Sequence, residues 1–137
     1  MRTEVTGFDS LVRKFSSEIS DMDKTIKMAL GEGGEILTRQ TKDEIRKAAN
    51  RGYATGELAR SVAPTVPRKN SWGYFVAVRP TGSDPRGIRN GEKWGYLQHG
   101  NGRGSEPRDF QGRAVRNSEK EIAKRAQSVF ERRSRLN

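Results

Sequence analysis

The chain has 137 residues, a formal net charge of +10 and 31% hydrophobic residues. This length predicts one domain spanning residues 1–137. The low apolar content indicates either that part of the chain is extended and mobile or that the protein completes its burial against other copies or partners. Because the chain has no cysteine, a disulfide framework, a thiolate metal site and a cysteine nucleophile are excluded.

The positive charge is concentrated in the second part of the chain. Residues 1–50 hold 9 Lys/Arg and 9 Asp/Glu, whereas residues 51–137 hold 18 and 8, so the whole excess of +10 lies beyond residue 50. Such asymmetry indicates either a polyanionic neighbour or a solvated basic face. The apolar runs are too short to span a membrane, and residues 1–20 lack the core of a signal peptide, so we expect synthesis in the cytoplasm.

The first third of the chain has the periodicity of an amphipathic helix. Apolar residues recur at steps of three and four from Phe8 to Ala49, which predicts one long helix. Gly31, Gly33 and Gly34 mark either a break in this helix or a place of close packing. Acid-to-base pairs four residues apart, such as Asp23 with Lys27, are expected on its exposed face.

The middle of the chain predicts a small antiparallel sheet of three to four strands. A first strand is expected at about 59–66, on a sheet edge or with a bulge because Pro64 and Pro67 lack amide donors. The aromatic and β-branched run at 72–79 predicts the best strand. Asn90 and Gly91 suggest a tight hairpin that returns the chain as a strand at 92–99.

A final helix is predicted from about Phe110 to Arg133, followed by a basic tail at about 132–137. Pro107 precedes it, and glycines at 100, 102 and 104 form the connector that leads into it. The order of helix, sheet and helix indicates an α+β domain.

The residues offer little for catalysis. His99 is the single histidine, so neither a triad nor a zinc site is expected. Asp84, Glu92, Glu106 and Asp109 could in principle hold magnesium, but their spacing matches no metal motif and neighbouring arginines favour salt bridges. We therefore expect a non-enzymatic protein without a metal or cofactor.

Binding of nucleic acid is the main alternative to a structural role. Many arginines of the second part could line a groove, and Trp72, Tyr74, Trp94 and Tyr96 could stack on bases. These aromatic residues alternate along the predicted strands, where packing is the usual explanation. No motif that reads base sequence is visible, so contact with the phosphate backbone alone stays open.

One motif and the order of elements indicate a family. The chain reads Thr55-Gly-Glu-Leu-Ala-Arg-Ser-Val62 after the first helix, then Tyr96-Leu-Gln-His-Gly-Asn, then Pro107-Arg-Asp-Phe before the last helix. This pattern resembles the minor tail-component family of lambda-like tailed phages, which includes neck, tail-completion and head-tail joining proteins. The second and third segments depart from the family pattern, with Gln98 for glutamate, Asn101 for threonine and Pro107-Arg-Asp-Phe for Arg-Pro-Phe.

The resemblance implies a structural virion protein at the head-tail junction, assembled in the host cytoplasm as a ring of identical copies. Its implied partners are a head-closure or connector protein, the tail tube or tail terminator protein, and the phosphate backbone of DNA passing through the ring. The residues expected at subunit or partner interfaces are Thr55, Gly56, Leu58, Tyr96, His99, Gly100, Pro107, Arg108 and Phe110. From the charge we infer that some arginines face DNA in the lumen, and the alternative is that they pair with an acidic neighbouring ring. These arginines are Arg79, Arg86, Arg89 and Arg103.

Overall fold

The computed structural model describes residues 8–49, 56–71, 73–83, 86–99 and 109–135. The fold is α+β, as predicted, with two long helices and two small antiparallel sheets of two strands each. The elements in chain order are α1 (Phe8–Phe15), α2 (Met22–Ala49), α3 (Gly56–Ser61), β1 (Val62–Pro64), β2 (Arg68–Asn70), β3 (Gly73–Phe75), β4 (Val78–Pro80), α4 (Asn90–His99) and α5 (Phe110–Ser134).

The predicted long N-terminal helix is present as α2, but it does not extend back to Phe8, because the chain turns between α1 and α2. The Ser16 hydroxyl donates to the carbonyl of Arg13 at 3.1 Å, and the Lys24 amide donates to Asp21 Oδ1 at 3.1 Å. Serine and aspartate side chains compete with helical backbone bonds in this way, and Asp21 thereby caps the start of α2. The helix that follows is nevertheless long and runs through all three glycines without a break.

The glycines of α2 allow close packing. A Cβ at Gly34 would lie 3.2 Å from Val76 Cγ2 and 3.3 Å from Pro64 Cβ, and one at Gly33 would lie 3.3 Å from Ile122 Cγ2. The strands therefore approach α2 at Gly34, and α5 approaches it one residue earlier. These glycines therefore allow close packing and do not break the helix.

The strands are shorter than the sequence pattern suggests. The strand predicted at 59–66 begins only at Val62, because residues 56–61 form α3 with Leu58 and Ala59 buried. The strand predicted at 72–79 is divided into β3 and β4, and position 72 lies outside the described residues. β1 pairs with β4 in the register Val62↔Pro80, Ala63↔Arg79, Pro64↔Val78, and β2 pairs with β3 in the register Arg68↔Phe75, Lys69↔Tyr74, Asn70↔Gly73.

The prolines of the β1–β4 sheet lie at its edges, as predicted for Pro64. The Thr65 amide donates to the carbonyl of Ala77 at 2.7 Å, and the Thr81 amide donates to that of Ser61 at 3.0 Å. In an antiparallel pair the residues between such partners direct their backbone groups away from the partner strand. Pro64 and Pro80 occupy these outward positions, where no amide donor is required.

The strand predicted at 92–99 is wrong, since Asn90–His99 form helix α4. Asn90 stabilises the start of α4: its amide donates to the carbonyl of Gly82 at 3.0 Å, and its Nδ2 donates to that of Thr81 at 2.8 Å. Trp94 packs edge-on against Phe110, with ring centroids 4.8 Å apart. The Trp94 side chain is therefore part of the core, but it lies on a helix and not on the predicted strand.

The core lies between α2 and α5 and extends to the sheets. One buried cluster joins α2, α3, α4, α5 and the β1–β4 sheet, and a second joins α1, α2 and α5 around Phe130. α5 agrees closely with the predicted final helix, and Asp109 caps it by accepting the Gly112 amide at 3.1 Å. No helix in the described part of the chain combines the length and apolar character that crossing a membrane needs.

Candidate functional site

An open groove lies on the outer face of the strands. Its volume is about 580 Å³. We call it the basic groove, and its lining residues are Ala63, Pro64, Thr65, Val66, Arg68, Phe75, Ala77, Arg79 and Thr81.

Strand alternation explains why these side chains share one face. Val62 and Val78 point inward and are 2% and 1% exposed, whereas Ala63 and Arg79 alternate with them and line the groove. Small side chains thus form the floor and leave room above it. Val66 is 70% exposed, which is unusual for a large apolar side chain at the wall of a groove.

The β2–β3 hairpin presents a cation and an aromatic ring on each of its two faces. Arg68 lies opposite Phe75, and both line the basic groove. Lys69 lies opposite Tyr74, and its Nζ is 5.1 Å from the centroid of the Tyr74 ring. This second face meets α2, because the Tyr74 hydroxyl donates to Asp23 Oδ1 at 2.8 Å.

The contact between Tyr74 and Asp23 shifts the pKa values of both side chains. The hydrogen bond from Tyr74, helped by Lys27 at 3.3 Å, lowers the pKa of Asp23 below its ordinary value of 3.8. Burial, followed by the hydrogen bond to Asp23, raises the pKa of Tyr74 above 10.0. The hairpin is therefore tied to α2 by a carboxylate that stays charged and a phenol that stays protonated.

Several arginines on the helices are compensated within the chain. Arg39 pairs with Glu121 at 2.6 Å, and Arg125 and Arg132 both pair with Glu32, at 3.3 and 3.2 Å. The other arginines in ion pairs are Arg46, Arg60, Arg113 and Arg116.

Two arginines on the strands and one in the segment before α4 are not compensated in the same way. Arg68, Arg79 and Arg89 are exposed, and none of them has a carboxylate within 4.0 Å among the described residues. The sheet side of the molecule therefore carries positive charge that is available to an outside anion.

The structure separates the predicted interface residues. Leu58 and Phe110 are 2% and 0% exposed and pack in the core of their own chain. Their side chains therefore do not contact a partner directly. Gly56 is exposed at the start of α3. Tyr96 and His99 lie in helix α4. The remaining predicted interface residues, which lie outside the described residues, are Thr55, Gly100, Pro107 and Arg108.

Of the arginines predicted to face DNA, one lines the basic groove. Arg79 is exposed there, and Arg86 and Arg89 are exposed in the segment before α4. Arg103 lies outside the described residues. The sequence pattern did not single out Val66 or Phe75 as residues of this groove.

The carboxylates considered for magnesium are not brought together where the structure describes them. No group of three or more His, Cys, Asp or Glu side chains is placed to hold a metal ion within the described ranges. Asp109 caps α5 and lies 3.6 Å from Arg116. Asp84 and Glu106 are outside the described residues.

No protein-family model, curated protein or solved structure matches the chain.

Proposed function

We propose that this protein is a structural component of a tailed bacteriophage, acting at the head-tail junction as a ring of identical copies. The observation that carries the proposal is the segment Thr55–Val62, read together with the order of elements around it. The described part of this segment forms α3 and leads directly into β1. The proposal includes no catalytic step and no cofactor.

Two features of the fold support a role in assembly. The core is divided into two clusters around a pair of long helices, and the strands add only small two-stranded sheets. One face of those strands stays open as the basic groove, with an exposed apolar wall at Val66. Such a surface is typical of proteins that complete their burial against neighbours. The proposed neighbours are a head-closure or connector protein and the tail tube or tail terminator protein.

The position of the protein in the virion tests this proposal. Gold-labelled antibodies against the chain, viewed by electron microscopy, should mark a single site per particle at the junction of head and tail. An antibody against the major tail protein serves as the control and should label the full length of the tail. Labelling of our protein along the whole tail, or its absence from virions, would contradict the proposed role.

A small DNA-binding protein is the second candidate, and the uncompensated arginines on the strands and before α4 favour it. Arg68, Arg79 and Arg89 could contact phosphates without reading base sequence. A protein with this function should retain free duplex DNA at physiological ionic strength and lose it steeply as salt rises. A ring component need not bind free duplex. Filter binding across a salt series therefore distinguishes the two candidates.

A further inference from the structure

Helix α4 begins where the chain has already started to form a hairpin. Ser83 and Arg89 form an antiparallel bridge, and the Asn90 amide donates to the carbonyl of Gly82 at 3.0 Å. Both contacts belong to one antiparallel register, because one step back from Ser83 is matched by one step forward from Arg89. The chain is therefore paired in the manner of two strands up to the residue at which α4 turns away.

The same register can continue along β4. It sets Glu92 opposite Pro80, and two residues later it sets Trp94 opposite Val78. Opposite residues of an antiparallel pair share a face, and Val78 is 1% exposed in the core, so Trp94 would stay on the core side. Among the described residues, β4 pairs with β1 alone. An extended segment after Asn90 would therefore find the other edge of β4 without a partner strand.

Helix α4 contains features that lower its stability. Asn90 Oδ1 and Trp94 Nε1 are buried, and neither atom has a hydrogen-bond partner among the described residues. Buried polar atoms without a partner are destabilising and are rare in native proteins. Gly91 and Gly95 also disfavour the helix, because glycine is a poorer helix former than alanine. The helix is thus held in place less firmly than the burial of Trp94 alone would suggest.

We propose that residues 91–96 exchange between helix α4 and a strand that pairs with the other edge of β4. The helix is the conformation of the structure, and the strand is a second conformation of the same chain. Pro80 favours the helix, because it faces the new strand and has no amide to donate to Glu92. Trp94 and Tyr96 favour the strand, where aromatic residues are enriched. The exchange occurs within one copy and does not depend on the proposed function.

Position 91 offers a matched pair of variants that shift the exchange in opposite directions. A Cβ at Gly91 meets nothing within 4 Å, so the helix has room for Gly91→Ala and for Gly91→Val. Alanine favours a helix, whereas β-branched valine favours a strand. The ratio of strand to helix should therefore be at least about threefold higher in Gly91→Val than in Gly91→Ala.

Pro80 provides a second, independent lever. Pro80→Val supplies an amide donor on the edge that faces the new strand, so it should raise the strand population. Pro64→Val makes the equivalent change on the opposite edge of the same sheet and is the matched control, which should leave that population unchanged. Circular dichroism of each variant verifies that it is folded.

Carbon-13 saturation-transfer NMR of the full chain measures the exchange, because a second conformation has its own Cα chemical shifts. Residues 91–96 should show a second state with strand-like shifts, most populated when Gly91→Val and Pro80→Val are combined. Absence of a second state in this double variant would overturn the inference. Random-coil shifts would also overturn it, because they would mean that α4 only unfolds. Equal populations in Gly91→Ala and Gly91→Val, or in Pro64→Val and Pro80→Val, would contradict the proposed strand as well.

Discussion

Asp23 and Tyr74 form the contact that ties the hairpin to the body of the molecule. Because the pKa of Asp23 is lowered, the contact stabilises the folded state above pH 3.8 and is lost as pH falls through the folded value. Because the pKa of Tyr74 is raised, the contact is present below pH 10.0 and is lost as pH rises through the folded value. Between these limits the hairpin stays attached.

We expect Tyr74→Phe to raise the pKa of Asp23 towards 3.8, since the phenol provides the largest stabilisation of the carboxylate. Carboxyl resonances followed by NMR across an acid titration measure this change. Lys27→Met is the comparison variant and should raise the same pKa by less. An Asp23 pKa that does not move in Tyr74→Phe would show that the hydrogen bond is not formed in solution.

Glu44 is a buried carboxylate that joins α2 to α5. Its side chain is 4% exposed and accepts from Arg113 at 3.2 Å, Lys47 at 3.3 Å and Asn117 at 3.2 Å. Removing it leaves these donors without their shared acceptor. Arg113 and Lys47 are partly exposed and can regain water, which limits the cost.

Glu44→Ala should therefore lower the free energy of unfolding by about 1–3 kcal/mol. Glu44→Gln keeps one acceptor oxygen and should cost less. Urea unfolding followed by circular dichroism gives both values. Glu35→Ala, at an exposed position of the same helix, is the control and should change stability by less than about 0.5 kcal/mol. Equal losses in Glu44→Ala and Glu35→Ala would contradict the role assigned to the buried carboxylate.

At the scale of the elements, α2 depends on glycine where the strands cross it. Gly34→Leu would force a side chain against Val76 and Pro64, so we expect a loss of about 1–3 kcal/mol. Gly91→Leu in α4 meets nothing within 4 Å of the new Cβ and should be tolerated. Thermal unfolding of the two variants gives the comparison. A Gly34→Leu chain as stable as Gly91→Leu would mean that α2 and the strands are not in close contact.

The sequence predicted those elements whose pattern is long and periodic. The final helix was placed almost to the residue, and the edge position of Pro64 followed from its missing amide. The sequence does not predict helix α4, because Trp94 and Tyr96 alternate as they would in a strand. The start of α4 is fixed by bonds that Asn90 donates to the carbonyls of Thr81 and Gly82 across the preceding loop. Tertiary contacts of this kind override local pattern.

The basic groove could be predicted only in part. Charge counts placed the positive excess beyond residue 50, but they do not separate compensated from uncompensated arginines. Arg125 and Arg132 are neutralised by Glu32, which lies about a hundred residues away in the chain, whereas Arg79 is not neutralised among the described residues. This difference depends on the packing of α5 against α2, which no local pattern reveals.

At the scale of the whole molecule, one face of the strands is left open for assembly. The helices carry ion pairs such as Arg39 with Glu121 and Arg125 with Glu32, and the strands present the basic groove with Val66 exposed at its wall. A ring of such copies would place many copies of the groove arginines in one circle, where they could also meet DNA passing through the lumen.

Electron microscopy of particles from a phage that lacks this gene tests the central claim most directly. The account predicts filled heads and tails that fail to join, or tails with an abnormal head-proximal end, and restoration of joined particles when the gene is supplied in trans. Intact and infectious virions from the deletion strain would contradict a structural role at the head-tail junction.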